Sequence, residues 1–267
     1  MYNTYIKPLL CLAIITFSAC SSSDEDTDAM TGTNDLTLEF DNGVNGDDLL
    51  LGTANYTNSN GETLTIDRLN YIVSNFVLID DQGGEYVYPK DDSFFVVSEE
   101  TGKTQVVLKG IPAGKYTRIR FGLGVDQEKY QQGAEGQGDF LAIAEDNEMM
   151  WSWQAGYKFL NFEGTFTSST VTTATNFKIH MGSHGSSLDN YRTTEIPLPT
   201  AALVSGSLSP VVHLAVDANK ILDGTTKIKL SEAAVVMVDE VKSPQIAVNA
   251  SQMFVVDHVH NGENIDH

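Results

Sequence analysis

Cysteine is the first scarcity. The chain of 267 residues has two, Cys11 and Cys20, and nothing after Cys20 carries a thiol. The remainder therefore has no disulfide and no thiolate nucleophile. Structural zinc sites made of four thiolates, or of two thiolates and two imidazoles, are excluded. Stability has to come from apolar burial. Basic residues are also few: 16 Lys and Arg stand against 36 Asp and Glu, a formal charge of −20. Lys7 is the only base before Cys20, so the part that follows has 15 bases against 36 acids, or −21. Such a surface repels phosphate backbones and anionic headgroups, which excludes nucleic acid as a partner, and it enriches cations nearby. There is no long apolar run of membrane-spanning length, no sustained 3.6-residue apolar period and no internal repeat.

Residues 1–19 read as a lipoprotein signal peptide. Lys7 supplies the positive n-region, and residues 9–17 form an apolar run too short to span a bilayer. Phe17-Ser18-Ala19-Cys20 resembles a lipobox, with small residues directly before a cysteine that would be lipidated at sulfur and become the new N-terminus. Residues 20–34 are polar, acidic and low in complexity, a tether that cannot bury enough surface to fold. Acids directly after the cysteine resemble the surface-export signal of Bacteroidota lipoproteins. The expected location is therefore the cell envelope, as an outer-membrane lipoprotein exposed at the surface, with the periplasmic face as the alternative. The membrane is met through the lipid anchor only.

Residues 35–267 read as one domain. Gly is common, at 22, and Val, Thr, Tyr and Phe are spread evenly, a mix that suits strands joined by many turns. Leu36, Leu38 and Phe40 alternate with polar residues before Asp41-Asn42-Gly43, which reads as a turn. Residues 64–80 make a long apolar strand that ends at the hairpin signal Asp81-Gln82-Gly83-Gly84. Thr117, Ile119 and Phe121 alternate with Tyr116, Arg118 and Arg120, as in a half-buried strand. Further strands are expected at 94–97, 105–108, 157–167, 176–181, 194–198, 210–216, 227–230 and 234–238. Short helices are expected near 140–144, 218–222 and 245–253, and longer loops at 127–149 and 183–192. The fold class is all-β: a single antiparallel β-sandwich, immunoglobulin-like or jelly-roll-like.

Several enzyme signatures fail. Gly110-Ile111-Pro112-Ala113-Gly114-Lys115 is one residue short of a phosphate loop, and Tyr116 stands where Ser or Thr must hold magnesium, so it reads as a hairpin turn. Residues 41–48 resemble a calcium loop superficially, but Gly43 occupies a ligand position and Gly52 the place of the closing Glu. No G-x-S-x-G elbow occurs. No pair of acids stands out for general acid–base work. The expectation is a binding protein, not an enzyme.

All six histidines come after residue 179. His180 and His184 flank Met181-Gly182-Ser183, His213 sits among apolar neighbours, and His258 and His260 share a side if residues 254–260 are extended. In a chain without thiolates, imidazoles at such spacing suit copper, zinc or nickel. His267 is terminal. The only tryptophans, Trp151 and Trp153, would share a face of a strand. They suit core packing or a stacking platform for a sugar. The latter gives the alternative function of a surface glycan-binding or adhesive lipoprotein.

The run Met150-Trp151-Ser152-Trp153-Gln154-Ala155-Gly156-Tyr157-Lys158-Phe159, followed by Glu163-Gly164, resembles the MbnP-like copper-binding protein family. So do Leu69-Asn70-Tyr71-Ile72-Val73-Ser74-Asn75, Ile111-Pro112-Ala113-Gly114-Lys115-Tyr116, Gly124-Val125-Asp126, Ile179-His180-Met181-Gly182 and Phe254-Val255-Val256-Asp257-His258-Val259-His260-Asn261. The resemblance implies a β-sandwich that binds copper in the envelope. It also implies that Trp151 or Trp153 is oxidised to kynurenine by a partner dihaem enzyme related to cytochrome c peroxidases. An aryl amine freed from the indole would join two imidazoles. His180 and His213 are preferred on that basis, with His184, His258 and His260 in reserve and Met150 and Met181 as soft alternatives. An outer-membrane transporter is the implied recipient. The chain departs from a related copper protein, where a histidine lies two residues after the modified tryptophan; here that position is Trp153 or Ala155.

Overall fold

A computed structural model describes residues 1–2, 30–185 and 187–262. Cys20, His267 and residues 3–29, hence the signal peptide and most of the tether, lie outside the described residues. Ten strands of five or more residues carry the fold: β1 Thr33–Val44, β2 Thr63–Asp80, β3 Phe94–Ser98, β4 Gln105–Pro112, β5 Gly114–Leu123, β6 Leu160–Thr167, β7 Thr175–Met181, β8 Arg192–Val204, β9 Pro210–Asp217 and β10 Phe254–Asn261. They form two sheets. The smaller runs β10–β9–β1, with β4 and the two-residue strand Asp47–Asp48 also on β1. The larger runs β8–β5–β2–β6–β7 and ends on the short strand Val235–Val236. Strand β3 and two shorter strands also pair with β2.

The packing follows from alternation. Leu36, Leu38 and Phe40 of β1 and Val212, Leu214 and Val216 of β9 are all at most 2% exposed and point inward. Phe40, Tyr71, Phe121 and Phe254 meet edge to face with ring centroids 5.1–6.2 Å apart, tying the two sheets together. β2 is buried on both faces through its middle, so it reads as a continuous apolar run and not as an alternating one. It pairs with β6 over residues 63–71 and with β5 over residues 73–80.

The architecture is the expected all-β sandwich. Its strands are antiparallel except that β1 pairs in parallel with β9, and β7 with Val235–Val236. Helices α2 Phe140–Asp146, α3 Lys220–Asp223 and α4 Lys242–Ala250 lie where short helices are expected, and α1 Gln127–Tyr130 adds a turn of helix at the start of the region expected to be a long loop. Two local expectations are corrected. Asp41-Asn42-Gly43 does not turn: β1 continues to Val44, and the turn is Asn45-Gly46, with φ of 55° and 89°, as a two-residue hairpin of this type demands. Residues 227–230 form no strand, because the N–H groups of Leu230 and Ser231 go to the buried Glu62 carboxylate at 3.1 and 2.8 Å. The phosphate-loop look-alike is a strand-to-strand turn, fastened by the Tyr116 hydroxyl on the Pro112 carbonyl at 2.9 Å.

No helix of the described residues is long and apolar enough to cross a membrane.

Candidate functional site

The residues singled out in the sequence gather at separate places. Met150–Ser152 and Gly156–Tyr157 form a small ribbon, with Trp151 on a strand and Trp153 in the connecting turn, where the Ala155 N–H donates to the Ser152 carbonyl at 3.1 Å. The turn separates two indoles that an uninterrupted strand would align. Trp153 packs on tyrosines: its ring lies 5.2 Å from Tyr130 and 6.4 Å from Tyr157, and its carbonyl accepts from the Tyr130 hydroxyl.

Trp151 packs instead on the segment that leaves β7. Its six-membered ring fills the space beside Gly182, where a β-carbon would meet Cζ3 at 3.0 Å and collide with the Tyr157 carbonyl oxygen. The His184 imidazole lies against the same indole, centroids 4.7 Å apart and planes tilted by 35°. Trp151 Nε1 and His184 Nε2 are both buried without a hydrogen-bond partner. Burial pushes the His184 pKa below its ordinary value, so the ring is neutral at neutral pH. A buried, unsatisfied polar atom costs about 1–3 kcal/mol, so two on neighbouring rings make this spot a candidate binding site.

His180, on β7, lies next in sequence to the inward Ile179 and Met181 and therefore projects to the opposite face of the sheet. Its Nε2 is 2.5 Å from Glu163 Oε1 on β6. Burial lowers its pKa, and the Glu163 bond opposes that shift. A neutral His180 donates from Nε2 to the carboxylate, which leaves Nδ1 unprotonated, and Nδ1 is buried without a partner. Register sets Asn161 beside both His180 and Asn70. Both amide atoms of Asn161 and the Asn70 Oδ1 are likewise unpartnered. Sequence reasoning passed over this row. Its available signal was an asparagine flanked by large apolar residues in each of two strands, Leu69-Asn70-Tyr71 and Leu160-Asn161-Phe162.

The third place is the outer face of the smaller sheet. His213 lies between the inward Val212 and Leu214 and so points outward, yet it is only 7% exposed. On β10 the inward residues Phe254 and Val256 and the histidines 258 and 260 have the same parity. A bulge at Asp257 shifts the register, so that Leu214 faces Val256 but His213 faces His258 and Val211 faces His260. The three imidazoles converge. His213 and His258 stack at 4.2 Å, His260 stands edge-on to both, and one ring nitrogen from each lies within 4.8 Å of the others. His258 Nε2 is 2.9 Å from His260 Nε2, and His258 Nδ1 is 2.7 Å from Asp257 Oδ2. Glu39, opposite His213 on β1, brings Oε2 to 3.7 Å from His213 Nδ1.

His180 and His213, the preferred imidazoles, thus stand on different sheets. The reserve residue His184 is the one that meets a tryptophan. The indoles keep other company: Trp153 meets Tyr130 and Tyr157, and Trp151 meets Gly182 and His184.

A family model described as MbnP matches residues 33–241. The matched stretch holds both tryptophans, His180, His184 and His213, and ends before His258 and His260. Among solved structures, MbnP from Methylosinus trichosporium aligns over 86% of this chain and 99% of its own, at 14% identity and a TM-score of 0.47. No curated protein matches the chain.

Proposed function

Because the chain belongs to the MbnP family, we propose that it is a copper-binding protein of the bacterial envelope whose copper site forms at Trp151 and His184. The observation that carries this reading is the contact of two half-buried rings, 4.7 Å apart, each with a buried nitrogen that has no hydrogen-bond partner. An intact indole nitrogen does not ligate copper, because its lone pair belongs to the ring. Oxidation to kynurenine breaks the C2–C3 bond and adds two oxygen atoms, one from each of two hydrogen peroxide molecules whose other oxygen leaves as water. Hydrolysis then releases C2 as formate. What remains is an aryl amine beside a neutral imidazole, a donor set suited to copper. His180, its tautomer fixed by Glu163, is the second imidazole available on the strand that delivers Gly182 and His184. Trp151 is the target in preference to Trp153, whose ring neighbours are tyrosines.

In this reading a dihaem, cytochrome c peroxidase-like partner performs the oxidation, so the protein is a substrate of its maturation enzyme and not itself an enzyme. A lipid on Cys20 holds it at the outer membrane, where it captures copper and passes it to a transporter. The glycan-binding alternative needs both indoles on one exposed face, and their different neighbours remove its support.

The test is peptide mapping by mass spectrometry, with metal analysis, on protein from the native host. Kynurenine is expected at position 151 with Trp153 intact. Its absorption band should shift on copper addition, and His184→Gln should abolish that shift. An unmodified Trp151 in copper-replete cells overturns the reading.

A further inference from the structure

We propose that His213, His258 and His260 form a separate, preformed metal site that takes a borderline divalent ion, copper(II) or, more weakly, zinc(II), and that works without any tryptophan oxidation. Two of its three ligands, His258 and His260, lie beyond residues 33–241, the stretch that the family model matches, and the three together exclude the tryptophan that the proposed function relies on.

The donor set is three imidazoles, which favours first-row ions late in the series, copper above zinc. Around a tetrahedral ion with metal–nitrogen bonds of about 2.0–2.1 Å, ligand nitrogens sit about 3.3 Å apart. His258 and His260 already hold theirs at 2.9 Å, and all three lie within 4.8 Å of one another. Shifts of side chains alone close the remaining difference, because the ligands stand on two hydrogen-bonded strands that fix their spacing.

The surroundings fit an ion better than a bare imidazole cluster. The Asp257 carboxylate accepts from His258 Nδ1, which leaves Nε2, the atom aimed at His260, as the lone-pair nitrogen. Glu39 adds a second carboxylate, 3.7 Å from His213 Nδ1. The two carboxylates, Asp257 and Glu39, offset the charge of a divalent ion. The bulge at Asp257 does two things at once: it turns both histidines to the His213 face and places the orienting carboxylate. Bulges recur beside functional sites for this reason.

The test uses the full-length protein carrying Trp151→Phe, which cannot form kynurenine at that position. It is titrated with copper(II) chloride, and separately with zinc chloride, against a competing chelator. The expected result is one tight copper(II) with nitrogen hyperfine structure from imidazoles. His258→Gln with His260→Gln should weaken it at least ~100-fold, and Asp257→Asn about 10-fold, the range for an outer partner of a metal-bound histidine. His180→Gln with His184→Gln should leave it unchanged. Circular dichroism checks that each variant is folded. Copper and zinc binding that survives loss of His258 and His260 overturns the proposal, as does a folded Trp151→Phe protein that binds neither ion. Failure of the kynurenine reading shows instead as an intact Trp151 in the native protein.

Discussion

A β-carbon at position 182 would strike the Tyr157 carbonyl oxygen and press on the Trp151 ring at 3.0 Å. One glycine thus decides whether the indole can lie flat beside His184. Gly182→Ala is expected to destabilise the protein by about 1–3 kcal/mol, the usual cost of overpacking, and to shift tryptophan emission as Trp151 is displaced. A denaturant melt and emission spectrum like those of the wild type would refute the close packing. The imidazoles nearby carry a pH dependence. His180 and His184 both titrate below the ordinary histidine value, chiefly through burial. Between their native pKa values and about 6.5, the unfolded chain binds more protons than the folded one. Stability is therefore fully present above about pH 6.5 and falls as pH drops through that window. Urea midpoints measured on both sides of the window should show the fall, and the double variant His180→Gln, His184→Gln should flatten it. An equal slope in both proteins would remove these residues as its source.

At the level of elements, Glu62 shows why part of the fold is legible in the sequence and part is not. It is 1% exposed and accepts from the Leu230 and Ser231 N–H groups and from the Asn58 side-chain amide. The local pattern of residues 227–230 looks like a strand, but the backbone donors are taken by an acid 168 residues away. Glu62→Ala should cost about 2–3 kcal/mol, as expected for losing hydrogen bonds to a charged group, and should strip the Leu230 and Ser231 amides of hydrogen-exchange protection. Unchanged protection would mean that the segment is held by its neighbours instead. Where order is local, reading the sequence works: the alternation of Leu36, Leu38 and Phe40 and of Ile119 and Phe121 marks real strands, and it fails only at Thr117, where a register shift buries Tyr116 instead. The failures are tertiary. Asp41-Asn42-Gly43 has turn chemistry, yet pairing with Ala215, Val216 and Asp217 keeps it extended. The two tryptophans, two residues apart, are separated by a turn whose hydrogen bond no spacing rule foretells. The histidines were all visible as candidates. Their grouping was not, because it depends on the register of β9 with β10 and on one bulge.

Over the whole molecule, that same register sets where the domain ends. The family match stops at residue 241, but Phe254 lies in the middle of the core, with its ring centroid 5.1 Å from Phe121, 5.7 Å from Tyr71 and 6.1 Å from Phe40. Removing such a ring costs about 3–5 kcal/mol, a large share of the roughly 5–15 kcal/mol that holds a domain together. Residues 242–250 add a helix whose Ile246, Ala247 and Ala250 are fully buried. Strand β10 also covers one edge of β9, and an uncovered edge pairs with other chains. A chain cut after residue 241 is therefore expected to lose the near-ultraviolet dichroism of packed aromatics and to elute as aggregates, despite the strong negative charge that disfavours association. A monomeric truncated protein with a cooperative melt would show that α4 and β10 are an appendage. The expected collapse would instead make the segment that completes the histidine triad the same one that completes the core, so that the metal site and the fold could not be separated by truncation, only by the point substitutions at His258 and His260.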